Sequence, residues 1–151
     1  MTRDFTKMTD IEIIDFVTTN PHYFADEFKK TFGGDVKYGV RAGNVLIVRS
    51  PEGFAIVENG SDEKGWEKSA KLLIIYVSAE HRGTKVARAL MDQVKLAVIP
   101  GVPIILQCEG EGRRQKFARF HFTVIDSFGE PGTYEMRYLP GEEVTSHDRC
   151  V

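Results

Sequence analysis

The sequence predicts an α/β fold in which a mixed β-sheet is flanked by helices. The length of 151 residues suits one compact domain, because domains commonly run to about 100–200 residues. Apolar residues make up 42% and charged residues 28%, which excludes a disordered or collagen-like chain. Segments with apolar residues at helical spacing alternate with short β-rich segments, and this alternation predicts helices packed on a sheet.

Two helices are predicted near the N-terminus. Thr9 and Glu12 form a capping-box pattern, and apolar residues at helical spacing follow as far as Thr19. The second helix spans residues 20–34, from an Asn-Pro start to a Gly-Gly stop. Both helices therefore precede the first predicted strand.

Seven strands and two further helices follow along the chain. The predicted strands are residues 36–41, 44–49, 54–58, 70–78, 102–109, 123–128 and 133–139. The helices are residues 82–98 and 112–122, and residues 59–68 form a polar loop. Because residues 70–78 contain the most apolar run, we expect this strand in the centre of the sheet. Residues 1–140 are predicted to form a single domain, followed by a polar tail of residues 141–151.

Charge is unevenly distributed along the chain. The net charge of −2 argues against a non-specific nucleic-acid binder, which needs a basic surface. Between Arg82 and Arg119, however, eight lysine and arginine residues stand against three acidic ones. Such a local positive patch suits a small ligand that carries phosphate, although a solvated helix face has the same composition.

The sequence lacks the patterns of membrane, secreted and metal-binding proteins. No apolar run approaches the ~20 residues of a membrane span, and the N-terminus lacks a signal-peptide pattern. The chain is therefore predicted to be cytoplasmic and not membrane-bound. The four histidines and two cysteines have no metal-binding spacing, and no metal site is predicted. Cys108 lies in an apolar run and is expected to be a small buried residue.

The segment of residues 77–90 contains the main candidate ligand-binding residues. A buried strand ends there, a short turn holds Arg82 and Gly83, and a helix begins at once. The first turn of a helix has unpaired N–H groups and the positive end of the helix dipole, and it binds anions for that reason. Gly83 allows close approach to the backbone, and Lys85 and Arg88 add positive charge. These features predict a pyrophosphate site across the turn; the alternative is a helix start with basic residues by chance.

This segment resembles the acyl-CoA-binding motif of the GNAT superfamily of N-acetyltransferases. Val77 matches the end of the motif strand, Glu80 the acidic turn, Arg82 the first motif position and Ala87 the last. Lys85 stands where the family has its middle glycine, so a side chain lies where the backbone normally meets the pyrophosphate. The order of helices and strands also resembles the family over nearly the whole chain.

The resemblance implies a mostly antiparallel sheet flanked by helices, with a splay between the fourth and fifth predicted strands. It implies that the pantetheine of acetyl-CoA lies in the gap against Ile75, Tyr76 and Val77, and that the Val77 N–H stabilises the oxyanion. It also implies a pyrophosphate site formed by Arg82, Gly83, Thr84, Lys85, Val86 and Ala87. The implied activity is transfer of an acetyl group from acetyl-CoA to a primary amine.

Candidates for proton transfer follow from this chemistry. Only the neutral amine attacks, so a base must take a proton from the ammonium group. Glu109 and Glu58 end predicted strands and are candidate bases. Glu109 is preferred because it borders the splay and follows an apolar run; each also suits a surface acid. Many members of the family have a tyrosine on the helix after the fifth strand, which this chain lacks. His121 is the candidate proton donor to the thiolate, with Tyr134 and Tyr138 as alternatives.

Three questions stay open at the level of the sequence. The acceptor is a small molecule, a protein amine, or an amino group on a modified nucleobase or charged tRNA. The motif lysine and the absent tyrosine also suit a catalytically inactive relative that binds CoA or a partner protein, and a different α/β nucleotide-binding domain would lack the splay. Four cations of the last predicted helix either meet the 3′-phosphate of CoA or are solvated: Arg113, Arg114, Lys116 and Arg119.

Overall fold

Five segments of the chain are described by the computed structural model: residues 4–19, 43–61, 69–83, 85–127 and 132–140. The predicted helix at residues 20–34, the predicted strand at residues 36–41 and the predicted tail at residues 141–151 lie outside these segments. Thr84 also lies outside them.

Six strands form one sheet in the order β1-β2-β3-β4-β6-β5. They are β1 (Val45–Ser50), β2 (Gly53–Ser61), β3 (Ser69–Val77), β4 (Ile104–Glu109), β5 (Thr123–Asp126) and β6 (Thr133–Tyr138). β3 and β4 pair in parallel, and all other neighbouring strands pair antiparallel. The predicted mixed, mostly antiparallel sheet is confirmed, and the most apolar strand, β3, lies inside it as expected.

Three α-helices are described: α1 (Asp10–Thr19), α2 (Val86–Ala97) and α3 (Glu111–Ala118). The capping box before α1 is confirmed. The Thr9 N–H donates to Glu12 Oε1 at 2.9 Å, and the Glu12 N–H donates to Thr9 Oγ1 at 3.2 Å. These reciprocal bonds satisfy two N–H groups at the helix start, which is why α1 begins where the sequence predicts.

Both later helices are shorter than predicted. α2 begins at Val86, because a 3-10 turn over Ala79–His81 and an extended Arg82 (φ −69°, ψ 145°) occupy the connection from β3. α3 ends at Ala118, and His121 beyond it has a positive φ of 73°. A helix cannot continue through this left-handed conformation, so the prediction that His121 lies on a helix is wrong.

β2 is longer than predicted and takes in the start of the predicted loop. It continues to Ser61 instead of ending at residue 58. The Asn59 N–H donates to the Asn44 carbonyl oxygen at 2.7 Å, and Ser61 pairs with Ser69 on β3. Hydrogen bonding to neighbouring segments on both sides therefore overrides the polar composition from which the loop was predicted.

The sheet has a packed layer on each face. On one face, α1 and the N-terminal segment bring together the rings of Phe5, Phe16, Phe54 and Tyr76, with centroids between 5.2 and 6.0 Å apart. On the other face, α2 and α3 pack against β2, β3, β4 and β6. Cys108 is buried in this second layer, which confirms its predicted role as a small core residue.

A β-bulge interrupts β3 at Leu73. Ile74 pairs with Ile56 and Leu72 pairs with Val57, so Leu73 has no partner on β2. Leu72 packs in the α2–α3 layer, whereas Leu73 and Ile74 both pack in the α1 layer. The bulge therefore shifts, by one residue, the alternation of side chains and N–H groups along the rest of β3.

Candidate functional site

A gap opens between the parallel strands β3 and β4. Their pairing stops after Lys71 and Ile105, near the N-terminal end of each strand. β3 continues to Val77 and β4 to Glu109 with no further pairing between them. The C-terminal halves of the two strands are therefore separated in the middle of the sheet, and the predicted splay is confirmed.

The bulge determines which N–H groups of β3 face this gap. Before it, the Ala70 N–H points toward β4 and donates to the Pro103 carbonyl oxygen at 2.8 Å. After it, the Ser78 N–H points toward β2 and donates to the Glu52 carbonyl oxygen at 2.9 Å. In a regular strand both even-numbered N–H groups would point to the same side. The extra residue in the bulge reverses that direction.

The N–H groups of Ile75 and Val77 are turned into the gap. The Ser78 N–H points toward β2, so alternation turns the adjacent Val77 N–H the opposite way, together with Ile75 two residues earlier. The Tyr76 N–H faces β2, and its ring is buried in the α1 layer. Of the three residues predicted to meet pantetheine, two therefore present a hydrogen-bond donor to the gap.

Side chains hold the turn after β3 against the hairpin between β1 and β2. Ser78 Oγ donates to the Glu52 carbonyl oxygen at 3.0 Å and lies 3.0 Å from His81 Nδ1. A carbonyl oxygen only accepts, so the hydroxyl proton goes to it and His81 Nδ1 is the donor to Ser78 Oγ. Arg82 Nε donates to the Val77 carbonyl oxygen at 3.0 Å, which holds the guanidinium beside the gap. His81 was not predicted as a site residue, although its i, i+3 spacing from Ser78 is that of a 3-10 turn.

The start of α2 is positively charged. Lys85 occupies the N-cap position without a capping hydrogen bond, and the first turn contains no acidic residue. No acidic side chain of this turn offsets the positive end of the helix dipole, which favours an anion there. Lys85 has φ −81°, which any residue adopts, so a lysine in place of the family's glycine needs no change of the backbone. Gly83 has φ 81°, a conformation that favours glycine.

Most of the predicted pyrophosphate residues lie together at this turn. Arg82, Gly83 and Lys85 are exposed beside the end of β3. Val86 is half-buried and Ala87 is buried, so these two contribute backbone rather than side-chain atoms to the surface. The turn thus combines positive side chains, a left-handed glycine and a helix start without an acidic residue in its first turn.

The two candidate bases lie at opposite ends of the sheet. Glu109 is the last residue of β4 and borders the gap. Its side chain is exposed, in contrast to the apolar surroundings expected from the sequence. Glu58 lies five residues along β2 from Gly53, which pairs with Val77, and this separation is about 17 Å in an antiparallel strand. The structure therefore brings Glu109, and not Glu58, to the open end of the gap.

Tyr134, an alternative proton donor, is held by groups from α3. Its hydroxyl donates to Glu111 Oε2 at 2.8 Å, and Arg114 Nε donates to Glu111 Oε1 at 2.7 Å. The hydrogen bond to Glu111 raises the pKa of Tyr134, while Arg114 and then Tyr134 lower the pKa of Glu111. A phenol whose proton is engaged and whose pKa is raised is a poor donor to a thiolate. Tyr138, the other alternative, is buried with its ring centroid 4.2 Å from Lys95 Nζ.

His121 and Glu109 lie on opposite faces of the sheet. His121 is exposed in the turn after α3, and the preceding Phe120 packs against the cluster around Val77 and Leu90. This turn therefore lies on the α2 side of the gap. The even-numbered positions of β4 are buried in the α2–α3 layer, which turns Glu109 to the α1 side.

Solved structures with a similar architecture include acetyltransferases. An acetyltransferase from Thermus thermophilus has a TM-score of 0.61 at 12% identity, over 87% of this chain and 93% of that one. A protein from Desulfovibrio desulfuricans assigned to the GNAT family of acetyltransferases has a TM-score of 0.59 at 17% identity, over 85% of this chain and 90% of that one. This chain has the GNAT fold.

A third structural neighbour was solved with acetyl-CoA. Arabidopsis thaliana NAA60 has a TM-score of 0.54 at 13% identity, over 85% of this chain and 93% of that chain. No protein-family model and no curated protein matches the sequence. The likeness therefore concerns the course of the backbone, and it confirms the fold expected from the motif and the order of elements. None of the helices in the described segments is long and apolar enough to cross a membrane.

Within this GNAT fold, a buried acid was not predicted. Glu135 on β6 is 4% exposed and pairs with Gln107 on β4, on the same face as Glu109. A buried carboxylate needs polar or charged partners, so Glu135 marks a polar site in the interior near β4. In the sequence, an acid between apolar neighbours has the ordinary pattern of a half-exposed strand, and this is why Glu135 was not singled out.

Proposed function

We propose that this protein is an acyl-CoA N-acyltransferase that transfers an acetyl group from acetyl-CoA to a primary amine. One observation carries the proposal: the gap between β3 and β4 receives the Ile75 and Val77 N–H groups and opens beside the positively charged start of α2. An extended ligand with an amide-rich arm and a pyrophosphate matches both parts. The fold shared with acetyltransferases supports the same conclusion.

In this proposal the residues of β3 and the following turn bind the donor. Ile75, Tyr76 and Val77 line the pantetheine arm, with the Ile75 and Val77 N–H groups as donors. The pyrophosphate lies over the turn and the start of α2, where the residues are Arg82, Gly83, Thr84, Lys85, Val86 and Ala87. Arg82 and Lys85 supply charge, and the positive end of the α2 dipole adds to it.

The proposed reaction is direct attack of the amine on the thioester. Glu109, through one water molecule, takes a proton from the ammonium group, and the freed lone pair forms the C–N bond. The Val77 N–H stabilises the negative charge that develops on the carbonyl oxygen. The C–S bond then breaks, the thiolate leaves, and the nitrogen releases its second proton to water to give the neutral amide. His121 is the proposed proton donor to the thiolate, and because His121 is exposed, solvent competes with it for this step.

Binding of acetyl-CoA is the first test of this function. At a ligand concentration 100 times Kd, the protein is expected to gain about 2.7 kcal/mol of stability, measured as a shift in thermal unfolding. Release of the CoA thiol in the presence of an amine is the second test. A wild-type protein that does not bind CoA contradicts the proposal. Binding without thiol release for any amine favours the catalytically inactive relative.

Gly83→Asp is expected to weaken CoA binding about tenfold or more in calorimetry. The change puts a carboxylate beside the proposed pyrophosphate site and a non-glycine residue at φ 81°. Gly101→Asp is the matched control, because Gly101 has φ 85°, equally open surroundings and a place at the other end of α2. Equal CoA affinity in the two variants would show that the turn does not meet the phosphates.

Lys85→Ala is expected to lower CoA affinity and to flatten its dependence on salt. The exposed ammonium stands at the N-cap of α2, within the proposed phosphate site, and screening by salt weakens such a contact. Lys85→Arg keeps the charge and is expected to bind CoA like the wild type. Tighter binding by Lys85→Ala would mean that the lysine obstructs the ligand.

A further inference from the structure

We propose that the Arg82 side chain acts at the thioester end of the acyl donor, where its positive charge stabilises the negative charge that develops during transfer. The motif assigns Arg82 to the pyrophosphate, but its guanidinium group reaches into the gap, on the face of the sheet opposite α2. The inference rests on the proposed function, because it concerns the same reaction. It gives the proposed site one further catalytic residue.

The carbonyl group of Val77 points into the gap between β3 and β4. The peptide bond between Val77 and Ser78 is planar and trans, so its C=O and N–H groups point in opposite directions. The Ser78 N–H points toward β2, where it donates to the Glu52 carbonyl oxygen at 2.9 Å. The Val77 carbonyl oxygen therefore faces away from β2, on the same side of the strand as the Val77 N–H.

The Arg82 side chain reaches this carbonyl group. Arg82 Nε donates to the Val77 carbonyl oxygen at 3.0 Å, which holds the guanidinium at the open end of the gap. The 3-10 turn over Ala79–His81 folds the chain back and brings Arg82 to this contact. The positive charge therefore lies beside the residue whose N–H is proposed to hold the thioester oxygen.

The Arg82 guanidinium lies on the α1 side of the sheet. Its Cζ atom is 5.8 Å from the centroid of the Tyr76 ring, a distance at which a cation is attracted to an aromatic ring. The Tyr76 ring is buried in the α1 layer. α2 packs on the opposite face, where Ala87 and Leu90 form a cluster with the Val77 side chain. The guanidinium is thus turned from the start of α2 toward the acyl end of the gap.

Glu109 lies on the same side of the sheet as this guanidinium. It is the last residue of β4, borders the gap and is turned to the α1 side. The open end of the gap therefore has a carboxylate on its β4 side and a guanidinium on its β3 side. The carboxylate suits the incoming ammonium group, and the guanidinium suits the negative charge that appears on the thioester.

A positive charge at this place aids both stages of the proposed reaction. Attack of the amine puts negative charge on the thioester oxygen, and cleavage of the C–S bond then leaves it on the sulfur. Arginine stays protonated in proteins, so its guanidinium attracts both charges without transferring a proton. This contribution does not depend on His121, which is exposed on the other face of the sheet.

Acetyl-CoA and S-acetylpantetheine distinguish a role at the thioester from a role at the pyrophosphate. S-acetylpantetheine has the thioester and the amide-rich arm but no pyrophosphate. Arg82→Gln is expected to lower kcat/KM roughly 10²-fold with both donors, measured by thiol release to the same amine. Lys85→Gln is expected to lower kcat/KM with acetyl-CoA only. If Arg82→Gln also affects acetyl-CoA only, Arg82 serves the pyrophosphate and the proposal is overturned.

A pair of substitutions separates the charge of Arg82 from its hydrogen bond. The amide nitrogen of glutamine is as many bonds from the backbone as Arg82 Nε, so Arg82→Gln can still donate to the Val77 carbonyl oxygen. Arg82→Lys keeps the charge, and its kcat is expected to lie between those of Arg82→Gln and the wild type. If both variants lose kcat equally, Arg82 has a structural role and the proposal is overturned.

Lys7→Gln is the matched control for loss of charge. Lys7 is exposed in the 3-10 turn Phe5–Lys7, which belongs to the α1 layer, so the variant removes a positive charge from the same side of the sheet. It is expected to keep the wild-type kcat/KM with both donors, and thermal unfolding checks that every variant is folded. An equal loss in Lys7→Gln, or full activity in Arg82→Gln, overturns the role of Arg82 alone. A wild type that transfers no acetyl group from acetyl-CoA overturns the proposed function as well.

Discussion

Glu109→Gln is expected to lower kcat/KM for acetyl transfer to an amine by roughly 10²–10⁴-fold. An alkyl ammonium group has a pKa of about 10.4 and is almost wholly protonated at neutral pH, so attack on the thioester waits for removal of a proton. Glu109 borders the gap at the end of β4. Glutamine has nearly the same shape but cannot accept the proton. The acidic limb in the pH profile of kcat/KM, measured by thiol release, is therefore expected to disappear.

Glu58→Gln is the matched control for this experiment. It makes the same chemical change in a strand carboxylate of the same sheet, about 17 Å along β2 from the position that pairs with Val77. We expect this variant to keep both the rate and the pH profile of the wild type. A fully active Glu109→Gln enzyme with an unchanged profile eliminates Glu109 as the base. If both variants are fully active, bulk water or the substrate itself removes the proton.

Gly53→Ala is expected to destabilise the protein by about 1–3 kcal/mol or more. A Cβ atom at this position falls well inside contact distance of the Tyr76 carbonyl oxygen, 3.1 Å from Val77 Cα and 3.2 Å from Leu90 Cδ1. Two of these are backbone atoms, which cannot rotate away, so β2 or the end of β3 must move. In a protein of this size Tm falls by roughly 2–4 °C for each kcal/mol, measured by thermal unfolding. Displacement of the Val77 N–H is also expected to weaken CoA binding.

Gly112→Ala provides the comparison for Gly53→Ala. Gly112 lies in α3, and a Cβ atom there meets nothing within 4 Å. Alanine in a helix is more favourable than glycine by about 0.5–1 kcal/mol, so this variant is expected to unfold at the wild-type temperature or above it. If Gly53→Ala unfolds as late as Gly112→Ala, the close approach of β2 to β3 at Gly53 is wrong.

Local signals in the sequence predicted much of the fold. The capping box of Thr9 and Glu12 located the start of α1, and the apolar run in β3 located an interior strand. The errors lie where partners distant in the sequence decide the conformation. β2 extends to Ser61 because neighbouring segments pair with it, and α2 starts late because a 3-10 turn intervenes. Composition alone carries neither piece of information.

The candidate site was predictable where its residues are contiguous in the chain. The turn after β3 was found from a short motif, whereas the choice between Glu58 and Glu109 needed the directions of the strands. Both residues were expected at strand ends, but β2 runs antiparallel to β3, so Glu58 lies far from the C-terminal edge that β3 and β4 share. The hydrogen bond from His81 to Ser78 likewise depends on a turn that periodicity does not reveal.

Because of the bulge at Leu73, the number of residues in β3 determines which side of the sheet its last residues face. Loss of one residue between Lys71 and Val77 restores a regular strand. Every later side chain and N–H group of β3 then points in the opposite direction. Residues that pack under α1 then face α2, and the Val77 N–H turns from the gap to β2. Homologous sequences can therefore differ in residue type along this strand, but not by a single insertion or deletion. A one-residue gap inside it, in an alignment with proteins of the GNAT fold, signals a misaligned register.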